Sequence, residues 1–191
     1  MESTHLKWDS ARLANVRLRG EGSVPFTADD RRPERLERTA ERWRLLDSFE
    51  RRFADRASIG SRQFVYFDPH DPSRRVAPAL FVHLGGPDEL FEEWKTWERG
   101  VPELALEIVT SHLPPEVAAD VLLERYLELG IRELAWFAPE KEAGRRLSVW
   151  DRTDGKLVER HAEGDCSACA ILGATWQVVE VPVMGPCLVL C

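Results

Sequence analysis

An α/β domain is the fold this sequence predicts, and three patterns predict it. The first is Glu103-Leu104-Ala105-Leu106-Glu107-Ile108-Val109-Thr110, which reads as a buried strand with one acid, Glu107, set among apolar residues. Leu104, Leu106 and Ile108 share one face and Ala105, Glu107 and Val109 the other, so both faces are mostly apolar, as in an interior strand of a covered sheet. The second is the sequel: a helical stretch from about Glu116 to Leu129, stopped by Gly130, and then an apolar run from Ile131 to Phe137. Strand, helix and strand so joined form a βαβ unit with parallel neighbours. The third is an amphipathic pattern from about 30 to 56 that must cover a sheet.

Taken in order, residues 1–29 carry Gly20, Gly22, Ser23 and Pro25 among charges with no sustained period, and are expected to be an irregular arm. Residues 30–191 are expected to form the domain. Asp29-Asp30-Arg31-Arg32-Pro33 supplies an N-cap acid and a proline suited to a first helical turn. The helix then runs to about Arg56 with the stripe Leu36, Ala40, Trp43, Leu46, Phe49 and Phe53. Its other face is charged, nine arginines against six acids, and reads as a solvated face laced with i,i+4 pairs. Gly60 ends this segment, and Gln63 to Asp68 follows as an aromatic and β-branched strand. Past the turn Asp68-Pro69-His70-Asp71-Pro72-Ser73, Ala79 to Leu84 is a second strand, closed by Gly85-Gly86-Pro87 and expected to pair antiparallel with the first. A charged segment with Trp94 and Trp97 leads to the central strand, and Pro114-Pro115 opens the next helix. Leu147 to Arg152 and Leu157 to His161, joined by Thr153-Asp154-Gly155-Lys156, form a hairpin. Trp176 to Val181 and Cys187 to Leu190 are late strands, with Gly173 and Gly185-Pro186 as punctuation.

Composition narrows the function classes. With 191 residues the chain closes one ordinary core. A net charge of -7 argues against a broad basic surface for nucleic acid. No membrane segment and no signal-peptide core stand in the sequence, so a cytoplasmic, reducing setting is expected. In that setting Cys166, Cys169, Cys187 and Cys191 are thiols or metal ligands rather than disulfides. Their spacing approaches a zinc ribbon, but the extended run Cys187 to Cys191 would hold its two sulfurs about 13 Å apart at ~3.3 Å per residue, too far to share one ion. Small thiols in a C-terminal β layer are the expectation. His70, between Asp68 and Asp71, sits in ordinary turn chemistry, and His83 on its strand reads as a core or edge histidine. No serine has a nucleophile-elbow setting, and there is no glycine-rich phosphate loop.

Glu107 remains the chemical question. An unpaired buried carboxylate costs roughly several kcal/mol, so Glu107 is protonated, paired, near solvent at the strand's end, or bound to a cation.

The linked blocks Gln63 to Pro69, Arg74-Arg75-Val76-Ala77-Pro78, Trp94 to Glu98, Glu103 to Thr110, Arg125-Tyr126, Gly130-Ile131, Trp150-Asp151-Arg152 and Leu157 to Arg160 resemble the Uma2 (DUF820) family. Members of that family are classed as restriction endonucleases of the PD-(D/E)XK nuclease-like fold. The resemblance covers about residue 30 to the end. It implies a restriction-endonuclease-like mixed sheet flanked by helices, with additional C-terminal strands. It also implies Mg²⁺ held by two carboxylates against a scissile phosphate, with a lysine that activates water and offsets charge. Matched residue by residue, Glu107 holds the glutamate position. Ala79 stands where the family has an aspartate, and Leu122, four residues before Tyr126, stands where it has a lysine. Two of three groups are lost, which implies weak or absent cleavage. Displaced metal ligands would have to come from Asp68, Asp71 or Glu41 beside Glu107. DNA, an active relative and a second copy of the chain are the partners that the resemblance implies.

Overall fold

A computed structural model describes residues 36–86, 91–109 and 119–191. The N-terminal arm, the helix start at Asp29 to Pro33, Pro87, Thr110 and the opening at Pro114-Pro115 lie outside the described residues, as does the side chain of Leu36.

Among the described residues three helices, α1 (Leu36–Phe53), α2 (Thr96–Arg99) and α3 (Ala119–Leu129), accompany twelve strands. Six strands form the main mixed sheet in the order β1-β4-β6-β7-β8-β9: β1 is Ala57–Gly60, β4 Leu80–Leu84, β6 Leu104–Ile108, β7 Glu133–Phe137, β8 Leu147–Thr153 and β9 Lys156–Arg160. The expected βαβ unit is present: β6, α3 and β7 follow one another, and β6 and β7 pair parallel from Leu104↔Glu133 to Ile108↔Phe137. Strand β8 returns through Asp154 and Gly155, both at positive φ (49° and 74°), to pair antiparallel with β9. That pair of left-handed residues gives the turn a twist matching the strands it joins.

The period-2 reading of the central strand holds. Leu104, Leu106 and Ile108 belong to one buried cluster, with Leu45, Leu46, Phe49 and Phe53 of α1. Ala105 belongs to the other, with Tyr126 and Leu129 of α3. Two further sheets complete these layers. The C-terminal sheet β10 (Cys166–Cys169), β11 (Ala174–Val181) and β12 (Gly185–Leu190) joins α1 on the first face, where Trp176 stacks on Phe49 at 5.8 Å. The small sheet β2 (Val65–Tyr66), β3 (Arg75–Val76) and β5 (Trp94–Lys95) joins α3 on the second.

Three expectations are corrected. The segment after Gly60 does not pair with β4; it forms β2, bonded to β3 and β5, while the partner of β4 is β1. Gly60 permits this, because a Cβ there would stand 2.1 Å from the ring of Phe81, its neighbour in β4. The helix therefore ends at Phe53, and Gly60 closes a strand. On α1, Ala40 and Trp43 face outward, Trp43 with 38% of its surface exposed, while Glu41, Arg42 and Leu45 face inward. The cause is polar. Glu41 accepts the Leu188 amide at 2.7 Å, Arg44 binds Glu41 at 2.8 Å and also donates to the Leu188 carbonyl, and Arg52 donates to that of Leu190. The free edge of β12 is thus satisfied by helix side chains, as buried backbone groups require. Last, Cys166–Cys169 is a strand, and Gly185 begins β12.

Candidate functional site

Glu107 sits on β6 next to Leu106 in sequence and opposite Trp136 of β7, on the face that α3 covers. Its carboxylate is half-buried. Tyr126 of α3, fully buried, donates its hydroxyl to Glu107 Oε1 at 2.5 Å. Burial first, and then the charge and hydrogen bond of Glu107, push the Tyr126 phenol well above its ordinary pKa, so it remains a proton donor. Of the four states open to Glu107, the structure shows pairing at a carboxylate that keeps some solvent near the strand's end.

Leu122 lies one turn before Tyr126 on α3 and packs, partly buried, in the same cluster. Ala79 precedes Leu80 by one residue, and Leu80 is the partner of Leu106, so Ala79 stands at the strand end beside Glu107. Its methyl packs against the α1-side cluster, and its carbonyl accepts the Ser61 hydroxyl at 2.8 Å. Glu107, Leu122 and Tyr126 are therefore brought together in one layer, with the side chain of Ala79 turned toward the other.

The carboxylates considered as substitutes are engaged elsewhere. Asp68 accepts the His70 amide at 2.9 Å and lies 3.9 Å from Arg74. Asp71 accepts the Ser73 amide (2.9 Å) and hydroxyl (2.6 Å), bonds that hold its pKa below the usual carboxylate value. Glu41 is on α1, across the sheet from Glu107, and is committed to Leu188 and Arg44. Among the described residues no group of three His, Cys, Asp or Glu side chains is placed to hold a metal ion. Among the described residues Glu107 brings one carboxylate, bound to a phenol, where Mg²⁺ needs several oxygen ligands in near-octahedral array.

The thiols are divided. Cys169 and Cys187 are buried, Cys166 is half-buried and Cys191 exposed, with its Sγ 3.7 Å from Gln177 Oε1. Burial pushes the Cys187 thiol up to about 11, helped by Glu41, and raises Cys169 further, helped by Glu133. His83 lies near the end of the interior strand β4 with Nδ1 3.2 Å from the Val101 carbonyl and 3.3 Å from Glu103, a satisfied histidine.

Sequence reasoning missed Glu133. Fully buried in β7, it accepts the amides of Ala170 (2.7 Å) and Ile171 (3.2 Å), the Trp176 indole (3.2 Å) and Arg160 (3.5 Å). The available signal was the same as for Glu107, an acid within an apolar strand run.

No family model matches the chain, and no curated protein matches it. A solved structure described as "a putative nuclease belonging to DUF820 from Anabaena variabilis ATCC 29413" is similar over 81% of this chain and 76% of that one, at 12% identity and a TM-score of 0.48. A likeness of that size carries no chemistry from one chain to the other. Among the described residues no helix is long and apolar enough to cross a membrane.

Proposed function

We propose that this chain is a Uma2-type restriction-endonuclease homologue, its domain spanning residues 30–191, in which metal-dependent phosphodiester cleavage has degenerated. The observation that supports it most is the environment of Glu107. The carboxylate remains on the central strand, where it takes the neutral Tyr126 hydroxyl, and the apolar Leu122 stands one helical turn before Tyr126. Mg²⁺ gives up its water reluctantly, and the positions at which the family would supply a second carboxylate and a lysine are Ala79 and Leu122. The test is cleavage of supercoiled and single-stranded DNA in Mg²⁺ and in Mn²⁺ by the wild type and by Glu107→Ala. Equal, background-level cleavage is expected. Cleavage that disappears in the variant would overturn this reading and make the chain an enzyme with displaced ligands.

A second reading follows from the packing of Leu122, partly buried in the same cluster as Tyr126, as at a position of a former site that has been filled. The chain then serves as a binding or scaffold protein whose partner is an active relative, a second copy or DNA. Ala79→Asp combined with Leu122→Lys is expected to bind Mn²⁺ where the wild type does not. A double variant that folds and binds none would show that these two positions do not correspond to the family's.

A further inference from the structure

The C-terminal sheet turns one face to the core and leaves the other open. Trp176, Val178, Leu188 and Leu190 pack into the α1-side cluster, so the residues that alternate with them point outward. Register sets Cys166, Gln177 and Val189 in one outward row, and Val179 and Val181 extend this face along β11 toward the turn into β12. Gln177 is exposed, and Cys166, Val179, Val181 and Val189 are half-buried. Cys187, buried beside Glu41 at the edge that α1 caps, is the exception. No outward position of these three strands carries a charge. In a chain whose residues are 31% charged, a sheet face left to solvent would carry several.

The turn that ends this face is strained. The Met184 amide donates to the Val181 carbonyl at 3.1 Å, with Pro182 second and Val183 third in the turn, and Val183 has a φ of 73°. This is a type II turn with a β-branched residue at the position that glycine ordinarily takes. Nothing within the chain compensates the valine, which is 108% exposed, and Met184 beside it is 47% exposed. An apolar side chain held in water at a cost in backbone strain marks a contact surface, and here it is continuous with the uncharged face through Val181.

We propose that the outward face of the C-terminal sheet, with its Val183-Met184 turn, is the contact for a second copy of this chain. The two-fold axis runs across the strands near Gln177, at the middle of β11, so that β11 lies antiparallel over its copy and each turn overhangs the start of the other β11. Charge selects this partner. Each copy carries a net charge of -7, so two copies repel except where neither presents charge, and this face presents none. A nucleic acid or an anionic lipid surface would find no cation on it, and a basic partner no carboxylate. Two such faces stack aligned about 10 Å apart. Three strands about 4.8 Å apart, the longest of eight residues at ~3.3 Å each, give a patch of roughly 14 by 26 Å. That is about half of the ~800 Å² each partner buries in a standard interface; the turns enlarge it, and association in the micromolar range follows. The contact makes no use of Glu107 and stands whether or not the chain cleaves DNA.

Sedimentation equilibrium of the full chain from about 1 to 200 μM tests it, with thermal unfolding measured at the dilute end as a check on folding. A reversible monomer–dimer equilibrium is expected of the wild type. Gln177→Glu, nearly isosteric and at an exposed position, should keep the unfolding midpoint and weaken association about tenfold, because it sets two like charges against each other near the axis. Val183→Gly should also weaken association, by about threefold to tenfold, with a midpoint no lower than that of the wild type, since glycine relaxes the turn. A residue that served the turn alone would leave association unchanged. Monomers at every concentration, or a dimer that neither substitution weakens, overturn the proposal. In a monomeric chain, loss of stability in Gln177→Glu would assign the face to residues 1–35 of the same molecule, and unchanged stability to a different protein.

Discussion

Two glutamates in neighbouring parallel strands have opposite fates. Glu133 of β7 faces α1, is fully buried, and is surrounded by two amides, an indole and a guanidinium. Glu107 of β6 faces α3, is half-buried, and takes the hydroxyl of Tyr126. Cross-strand register explains the split: Glu133 is the partner of Leu104 and Glu107 of Trp136, so they occupy opposite faces and opposite ends of one ladder. Complete desolvation requires complete pairing, and three of the groups that pair Glu133, the Ala170 and Ile171 amides and the Trp176 indole, come from the C-terminal layer, with Arg160 of β9 the fourth. This carboxylate fastens β10 and β11 to the main sheet. A carboxylate that keeps some solvent tolerates a neutral partner, and only such a carboxylate is open to a ligand.

The comparison is broken most directly by substitution. Glu133→Ala strands the Trp176 indole and two amides, while Arg160 keeps Asp151 and the Ala168 carbonyl, and should cost about 3–5 kcal/mol in denaturant unfolding. Glu107→Ala leaves the Tyr126 hydroxyl without its acceptor and should cost about 1–2 kcal/mol. A larger loss at Glu107 than at Glu133 would reverse the assignment of structural and remnant roles.

Alkaline pH sharpens the comparison, because protonated groups stand beside both of these carboxylates and beside Glu41. Cys169 beside Glu133, Cys187 beside Glu41 and Tyr126 beside Glu107 all have raised pKa values, with burial the largest cause. Above the ordinary thiol value of 9.0 the unfolded chain releases protons that the folded chain retains. Stability is then fully present below pH 9 and declines as pH rises toward 11, by up to about 1.4 kcal/mol per pH unit for each such group. Thermal unfolding followed from pH 8 to about 11 would show the decline, and a flat profile would contradict the buried thiols.

The smallest effect is chemical. Cys191 should react with a thiol reagent in the native state, whereas Cys169 should react only on unfolding. Native-state labelling of Cys169 would mean that the layer Glu133 fastens opens readily.

Some of this was legible in the residues, and the boundary is physical. The alternation of Leu104, Leu106 and Ile108 against Ala105 and Glu107 named the two faces of β6 in advance, and the need of Glu107 for a partner followed from its charge. Tyr126 as that partner did not, since the bond joins a strand to a helix 19 residues further on. The stripe on α1 failed at Ala40 and Trp43 because apolar spacing has no knowledge of a strand edge. Glu41 turns inward to meet Leu188, 147 residues away in sequence. Glu133 passed unnoticed because its donors lie 27 to 43 residues downstream and gather only when the C-terminal sheet folds back.

By itself the sequence determined what depends on a residue and its near neighbours: the helix of α3 ending at Gly130, the Asp154-Gly155 turn, the two faces of the central strand, and the absence of an aspartate and a lysine at positions 79 and 122. Tertiary structure alone decided which segments meet. Strand β1 rather than β2 pairs with β4, α1 caps the edge of β12, and Glu107 receives a phenol while Glu133 receives four donors. The reason is that local propensity and period act over a few residues. Contacts between distant segments are settled by fit, as where the ring of Phe81 leaves room at Gly60 for hydrogen alone.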